Sequence, residues 1–143
     1  MRKTITSTIS VILALVFIFC LASCEDKRDS KDLWADAIYT EDREFGEGAN
    51  TITVTVEAQD RSVTFTVHTN KKTVGEALSE HGLLEGEEGP YGLYVKKVNG
   101  ILADYDKDQT YWSFYINGDF AMTGVDVTDL IDGGGYKLVR EKG

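Results

Sequence analysis

Aromatic side chains gather in one stretch of the chain, residues 91–115, which holds five tyrosines, one tryptophan and one phenylalanine. Rigid rings that carry a polar atom stack on planar or sugar-like ligands at a small cost in conformational entropy. Side chains alternate between the two faces of a strand, so Trp112 and Phe114 share one face, and Tyr111 and Tyr115 share the other.

Core packing is the simpler interpretation of Trp112 and Phe114, because large rings on one strand face usually pack beneath a sheet. A ligand-binding role is then better placed on Tyr111 and Tyr115, together with a tyrosine from a loop. The candidate ligand-binding residues are therefore Tyr91, Tyr105, Tyr111, Trp112 and Tyr115.

Three aspartates, Asp104, Asp106 and Asp108, have the alternate spacing of a calcium-binding loop. An EF-hand would next require glycine at its sixth position and glutamate at its twelfth, and these positions hold Gln109 and Tyr115. The mismatch favours a solvated turn over a calcium site.

Two histidines, His68 and His81, are too isolated in sequence to predict a zinc site, and structural roles are the simpler interpretation. The chain also lacks the serine hydrolase, zinc protease and P-loop signatures. None of its carboxylates is flanked by a sequence pattern that would raise its pKa, as a catalytic acid or base often requires. The sequence therefore predicts neither an enzyme nor a bound metal or cofactor.

The N-terminus has the form of an export signal. Two cations at Arg2 and Lys3 precede an uncharged stretch that is wholly apolar over residues 11–22, which is short for a membrane span. The stretch ends in Leu-Ala-Ser-Cys at residues 21–24, which resembles the lipobox of bacterial lipoproteins. That resemblance implies cleavage before Cys24 and lipidation of its thiol, and it implies a lipid-anchored location at the extracytoplasmic face of the cell membrane. The alternatives are an uncleaved signal anchor or an ordinary secretory signal.

Charge and cysteine content narrow the possible partners of the processed chain. Loss of Arg2 and Lys3 would leave 13 cations against 24 carboxylates, a net charge of −11. Such acidity disfavours nucleic acids and anionic lipid surfaces as partners. Cys20 would leave with the signal, and lipidation would occupy Cys24, so no disulfide or cysteine nucleophile is expected.

The sequence predicts three regions: a signal peptide over residues 1–23, a flexible lipid-anchored tether over 24–37, and one domain over 38–143. The tether is charged and poor in aliphatic residues. The apolar patch at residues 34–39 either docks on the domain or forms a local turn in the linker.

Within the domain, alternating apolar residues predict a hairpin at 51–69 with its turn at Gln59-Asp60. A capping box, Thr73 to Glu76, begins a short helix at 74–81. Residues 85–91 are predicted to be a loop. Further strands are predicted at 93–98, 111–116, 120–122 and 136–140, and Asn-Gly pairs at 99–100 and 117–118 predict tight turns.

From about residue 38 the chain resembles the transcobalamin-like C-terminal domain family. The similar stretches are VTFTVHTN (63–70), TVGEALSEHGLL (73–84), YGLYVKKVNG (91–100), ADYDKDQTYWSFYINGDFAMTGVD (103–126) and GYKLVREKG (135–143). The Gly-rich residues 132–135 depart from the usual last turn of that family. The order of elements and the resemblance together predict an α+β fold, a β-grasp-like mixed sheet packed on one short helix.

In the vitamin B12 carriers that give this family its name, the corresponding domain closes over one face of the corrin. The resemblance therefore implies that the protein captures a soluble ligand and delivers it to a membrane transporter. The most specific ligand that the resemblance implies is cobalamin. The alternative is a protein–protein interaction or adhesion module at the cell surface that has no small-molecule ligand.

Overall fold

The computed structural model describes residues 31–143, and residues 32–143 form one compact unit. The predicted signal peptide and the predicted lipidation site Cys24 lie outside the described residues. Among the described residues, no helix has the length and apolar character needed to cross a bilayer.

Nine strands and three short helices make up the described part of the chain. The strands are β1 (Arg43–Phe45), β2 (Asn50–Ala58), β3 (Arg61–Thr69), β4 (Leu84–Gly89), β5 (Gly92–Val98), β6 (Ile101–Leu102), β7 (Thr110–Ile116), β8 (Asp119–Phe120) and β9 (Gly135–Lys142). The helices are a 3-10 helix (Leu33–Asp36), α1 (Val74–Glu80) and α2 (Tyr105–Asp108).

The strands form two sheets. The larger sheet has six strands in the order β1-β3-β2-β9-β7-β8, and the smaller has three in the order β4-β5-β6. In the larger sheet, β1 runs parallel to β3 and β2 runs parallel to β9, while the other neighbours are antiparallel.

The predicted fold class, α+β with a β-grasp-like mixed sheet packed on one short helix, is wrong. Strands account for 49% and helices for 13% of the structure, and the strands divide between two sheets. Residues 31–143 are therefore mostly β, with α1 as a short helix of seven residues.

The second sheet was missed because β4 gives no strand signal in the sequence. Its first residue, Leu84, is buried and the other five are exposed, so the strand shows no alternation of apolar and polar residues. Pairing with β5 forms this strand, and the register shifts between Glu85 and Gly86. Cross-strand ion pairs from Lys96 to Glu87 (3.3 Å) and from Lys97 to Glu85 (3.7 Å) accompany the pairing.

The local predictions around the hairpin and the helix agree with the structure. Val54 and Phe65, which are register partners on β2 and β3, are fully buried, as the apolar alternation indicates. Gln59 in the connecting turn adopts a φ of 54°. Burying alternate apolar side chains of both strands on one face fixes their register, because a shift of one residue would expose them all.

The 3-10 helix belongs to the compact unit. Trp34 is 2% exposed, and its indole Nε1 donates a hydrogen bond to the Ala58 carbonyl at 2.9 Å. Asp32 caps this helix by accepting from the backbone N of Trp34. Of the two alternatives for the apolar patch at residues 34–39, the structure has the docked arrangement, although the sequence assigned residues 34–37 to the tether.

Helix α1 begins with the capping box that the sequence predicts. Thr73 Oγ1 accepts from the backbone N of Glu76 at 3.2 Å, and Glu76 Oε2 accepts from the backbone N of Thr73 at 3.3 Å.

We expect Thr73→Ala to lower the free energy of unfolding by about 1 kcal/mol, because it leaves a helix N–H without its acceptor. Urea denaturation measures the change. Ser79→Ala, at an exposed position of the same helix, is the control and should change stability by less than about 0.5 kcal/mol. Equal effects of the two substitutions would contradict the capping role.

Candidate functional site

Strand β7 divides the predicted aromatic residues between two environments. Trp112 is 8% exposed and lies on the buried face with Phe114. Tyr111 and Tyr115 lie on the opposite face of the sheet and are partly buried. Tyr91 and Tyr105 lie outside the large sheet, in the β4–β5 turn and in α2, and are 96% and 51% exposed. The structure therefore does not gather the five candidate residues into one site.

A groove of about 220 Å³ lies between strands β5 and β7 and the segment that follows β8. Tyr111 and Trp112 take part in its lining, whereas Tyr91, Tyr105 and Tyr115 do not. The groove is lined by Leu93, Tyr94, Val95, Tyr111, Trp112, Ser113, Phe114, Phe120, Ala121, Thr123, Gly124, Val125 and Leu138. Most of these side chains are apolar or aromatic, and this composition is typical of small-molecule sites.

Exposed apolar side chains extend the groove to the surface. Phe120 and Tyr94 line it while remaining 59% and 46% exposed. Leu93 and Tyr94 also border a second cavity of about 220 Å³ at the β4–β5 turn, where Tyr91 lies. Met122, next to the lining residues Ala121 and Thr123, is 91% exposed. An exposed apolar set around a concave site is more typical of a binding surface than scattered single residues are.

Two buried polar atoms adjoin this region without partners among the described residues, Trp112 Nε1 and Asp126 Oδ1. The other oxygen of Asp126 accepts from the backbone N of Leu93 at 3.0 Å, which ties the segment after β8 to the start of β5. A Cβ at Gly124 would lie 2.9 Å from Asp126 Oδ1, and one at Gly92 would lie 2.7 Å from Oδ2. The absence of side chains at these glycines leaves room for the carboxylate.

Sequence reasoning missed the groove residues outside β7, above all Leu93 and Phe120, and it missed Asp126 beside the groove. Tyr94, one of the five tyrosines in residues 91–115, lines the groove but is not among the five predicted candidates. The sequence feature that could have indicated the groove is the apolar Phe-Ala-Met at residues 120–122. These residues come soon after the Asn-Gly turn at 117–118, and polar residues are usual around such turns.

On the other face of the large sheet, Tyr111 and Tyr115 share one acceptor. Their hydroxyls donate to the two carboxylate oxygens of Glu141, at 3.2 Å and 3.0 Å. The hydrogen bond to Glu141, assisted by desolvation and by the negative charge of Glu141, raises the pKa of Tyr111 above its ordinary value of 10.0. The carboxylate thus holds both rings in place through their hydroxyls.

We expect Glu141→Gln to lower the pKa of Tyr111 toward 10.0. A pKa raised by folding means that the folded chain holds the phenolic proton more tightly than the unfolded chain does. The associated stability is complete below the unfolded pKa and is lost as pH rises through the folded pKa. NMR titration of carbon-labelled tyrosine rings measures the effect. Glu57→Gln, which alters the partner of Lys137 in β9, is the control and should leave Tyr111 unchanged. An unaltered Tyr111 titration in Glu141→Gln would contradict this account.

Two of the three aspartates with calcium-loop spacing, Asp104 and Asp108, use their carboxylates in protein contacts. Asp104 caps α2 by accepting from the backbone N of Asp106 at 3.1 Å. Asp108 accepts from the Thr110 hydroxyl and from Arg140 Nη2, the latter at 2.8 Å. The Thr110 hydroxyl, more than Arg140, lowers the pKa of Asp108 below 3.8. Within residues 31–143, no three His, Cys, Asp or Glu side chains are grouped to hold a metal ion.

The two histidines support the first strand. His68 bonds Thr51 Oγ1 through Nδ1 at 2.8 Å and Glu44 through Nε2 at 2.5 Å. His81 stacks on Phe45 with 5.2 Å between ring centroids. These contacts link β1 to its neighbours in the sheet and to the end of α1.

Comparison with known proteins places the chain in a family. Residues 71–134 match the family described as "Domain of unknown function (DUF4430)". No curated protein matches the chain. A solved protein from Ruminococcus gnavus, provisionally described as metal binding, is 33% identical, with a TM-score of 0.63 over 66% of this chain and 99% of that one.

The fold also resembles part of haptocorrin, whose structure was solved in complex with Cbi. The identity is 18% and the TM-score 0.54, over 68% of this chain and 26% of haptocorrin. At that identity the likeness shows a shared fold, and the chain spans about a quarter of haptocorrin. The chain belongs to the same family as the Ruminococcus gnavus protein, and its residues 71–134 carry the DUF4430 domain.

Proposed function

We propose that this protein is a surface-anchored binding protein that captures a soluble ligand in the groove between β5 and β7. The groove itself carries the proposal, because it is concave, about 220 Å³ in volume, and lined by Tyr94, Trp112 and Phe114. Such a site suits a flat, largely apolar ligand that stacks on aromatic rings.

The ligand class that we favour is a corrinoid. The supporting observation is the fold likeness to haptocorrin, whose solved complex holds Cbi. This chain corresponds to about a quarter of that protein, so it would cover one face of a corrin and leave the other face for a partner such as a membrane transporter. The role proposed is binding and delivery, without catalysis.

An interaction or adhesion module is the second candidate. It is supported by the strong exposure of Tyr91 and Met122, which are 96% and 91% exposed. We favour ligand capture because the apolar surface curves into a groove, whereas a protein-docking sheet edge would be flat and open.

The decisive experiment is calorimetric titration of residues 25–143, which contain the whole compact unit, with cobinamide and with cobalamin. We expect micromolar or tighter binding of at least one of them. Tyr94→Ala should weaken binding about tenfold or more, since it removes a ring from the groove lining. Tyr105→Ala removes a half-exposed ring outside the groove and should bind as the parent does. No heat of binding and no quenching of tryptophan fluorescence at micromolar ligand would refute the corrinoid proposal.

Anchoring through Cys24 is also part of this proposal, supported by the apolar stretch and by the Leu-Ala-Ser-Cys sequence at residues 21–24, in which cleavage is expected between Ser23 and Cys24. Cys24→Ala should abolish incorporation of labelled lipid and leave the precursor uncleaved by the lipoprotein signal peptidase. Cys20→Ala is the matched control and should be lipidated normally. Lipid incorporation into Cys24→Ala would show that the anchor lies elsewhere.

A further inference from the structure

The groove region contains a donor and an acceptor that the protein leaves unused. Trp112 is more than nine-tenths buried and lines the groove, and its indole N–H has no acceptor among the described residues. Asp126 Oδ1 is buried without a donor, beside the lining residue Gly124. A buried polar group without a partner is costly to a fold, so two of them beside one groove call for an explanation.

We propose that Trp112 and Asp126 form a recognition pair for a carboxamide group on the ligand. The indole N–H would donate to the amide carbonyl, and the Asp126 carboxylate would accept from the amide N–H. This inference rests on the proposed function, because it assigns polar specificity to the same groove. It predicts that the ligand carries neutral amides at its periphery.

Charge favours amides over acids at this place. The Asp126 carboxylate meets no cation in its described contacts, and its second oxygen is already occupied by the backbone N of Leu93. A ligand carboxylate would bring a second negative charge beside a partly buried one, and like charges in such surroundings repel strongly. A neutral amide satisfies the free oxygen without that repulsion.

An amide reaches Trp112 only if a side chain of the groove moves. Trp112 Nε1 is shielded from water in the free protein, so a ligand must displace a neighbouring side chain to reach it. Phe120 lines the groove, is 59% exposed and does not belong to the buried core, so its ring can turn outward without opening the core. Asp126 is held in place by Leu93, and this bond keeps its free oxygen in position before binding.

Two conservative substitutions test the pair. Trp112→Phe keeps an aromatic ring and removes the N–H. Asp126→Asn can keep an acceptor for the backbone N of Leu93 while replacing the free acceptor with a donor. Tyr105→Phe, which changes a hydroxyl outside the groove, is the control. Thermal unfolding checks that each variant is folded before binding is measured.

The probes are cobinamide, a planar macrocycle edged with carboxamides, and haem, a planar macrocycle edged with carboxylates. Calorimetry is the readout, because Trp112→Phe alters the fluorescence signal. The parent should bind cobinamide at least tenfold more tightly than haem. Trp112→Phe and Asp126→Asn should each weaken cobinamide binding about five- to tenfold, the usual effect of losing one buried hydrogen bond. Asp126→Asn should also strengthen haem binding.

The outcomes separate the two proposals. If the parent binds neither probe, the corrinoid proposal fails and this inference fails with it. If the parent binds cobinamide and both variants bind it equally well, ligand capture stands and the recognition pair is refuted. Tighter binding of haem than of cobinamide by the parent would also refute the pair.

Discussion

Trp34→Ala is expected to lower the free energy of unfolding by about 3–5 kcal/mol, the usual cost of removing a large buried aromatic side chain. Trp34 is 2% exposed, and its indole N–H donates to the Ala58 carbonyl. The guanidinium of Arg61 lies over the ring, 4.9 Å from its centroid. The substitution therefore removes packing, a buried hydrogen bond and a cation–π contact together. Urea denaturation of residues 25–143 measures the loss.

Ile38→Ala is the control. This residue is 51% exposed, so the substitution should cost less than about 1 kcal/mol. If Trp34→Ala costs no more than Ile38→Ala, then residues 34–37 behave as tether and the packed 3-10 helix is not a stable part of the domain.

Asn99→Ala is expected to cost about 3 kcal/mol, because it combines a backbone penalty with two lost hydrogen bonds. Asn99 is fully buried and has a φ of 51°. Its Oδ1 accepts from the backbone N of Tyr39 at 3.0 Å, and its Nδ2 donates to the Tyr39 carbonyl at 2.7 Å. Its amide therefore clamps the chain before β1 to the turn between β5 and β6. Urea denaturation again measures the change.

The second Asn-Gly turn supplies a matched comparison. Asn117 also has a positive φ, 47°, but it is exposed and its Oδ1 accepts one bond, from the backbone N of Gly135 at 2.9 Å. We expect Asn117→Ala to cost about 1–2 kcal/mol, since it carries the backbone penalty but little burial. Asn99→Gly separates the two contributions at residue 99, because glycine accepts the positive φ and lacks the amide. A larger loss at Asn117 than at Asn99 would contradict the clamp.

One wall of the candidate site, strand β7, could be predicted from the sequence. The alternation of β7 predicted that Trp112 and Phe114 share a face, and both lie on the groove side. The opposite wall, from Leu93 and Tyr94 on β5 to Val125 after β8, comes from distant parts of the chain. No spacing within a single strand can indicate which other strand will face it. The partnership of Asp126 with Leu93 depends in the same way on a contact across 33 residues.

The sequence by itself determined the features that depend on neighbours along the chain. These are the apolar alternation of β2 and β3, the capping box of α1 and the left-handed Asn-Gly turns, because each depends on residues within a few positions of one another. It could not distinguish the two Asn-Gly turns, which have the same sequence but differ in burial and in the hydrogen bonds of the asparagine side chain.

Only the tertiary structure decided the rest. β4 is a strand because β5 supplies its hydrogen bonds, and its exposed, Glu- and Gly-rich sequence carries no such signal. Because β4 pairs with β5, these strands and β6 form a second sheet, separate from the larger one. The groove lies where β5 of the small sheet faces β7 of the large one. Trp34 belongs to the core because Ala58 accepts its N–H. Pairing and burial between distant segments are properties of the folded chain, and for that reason they settled the fold class and the position of the groove.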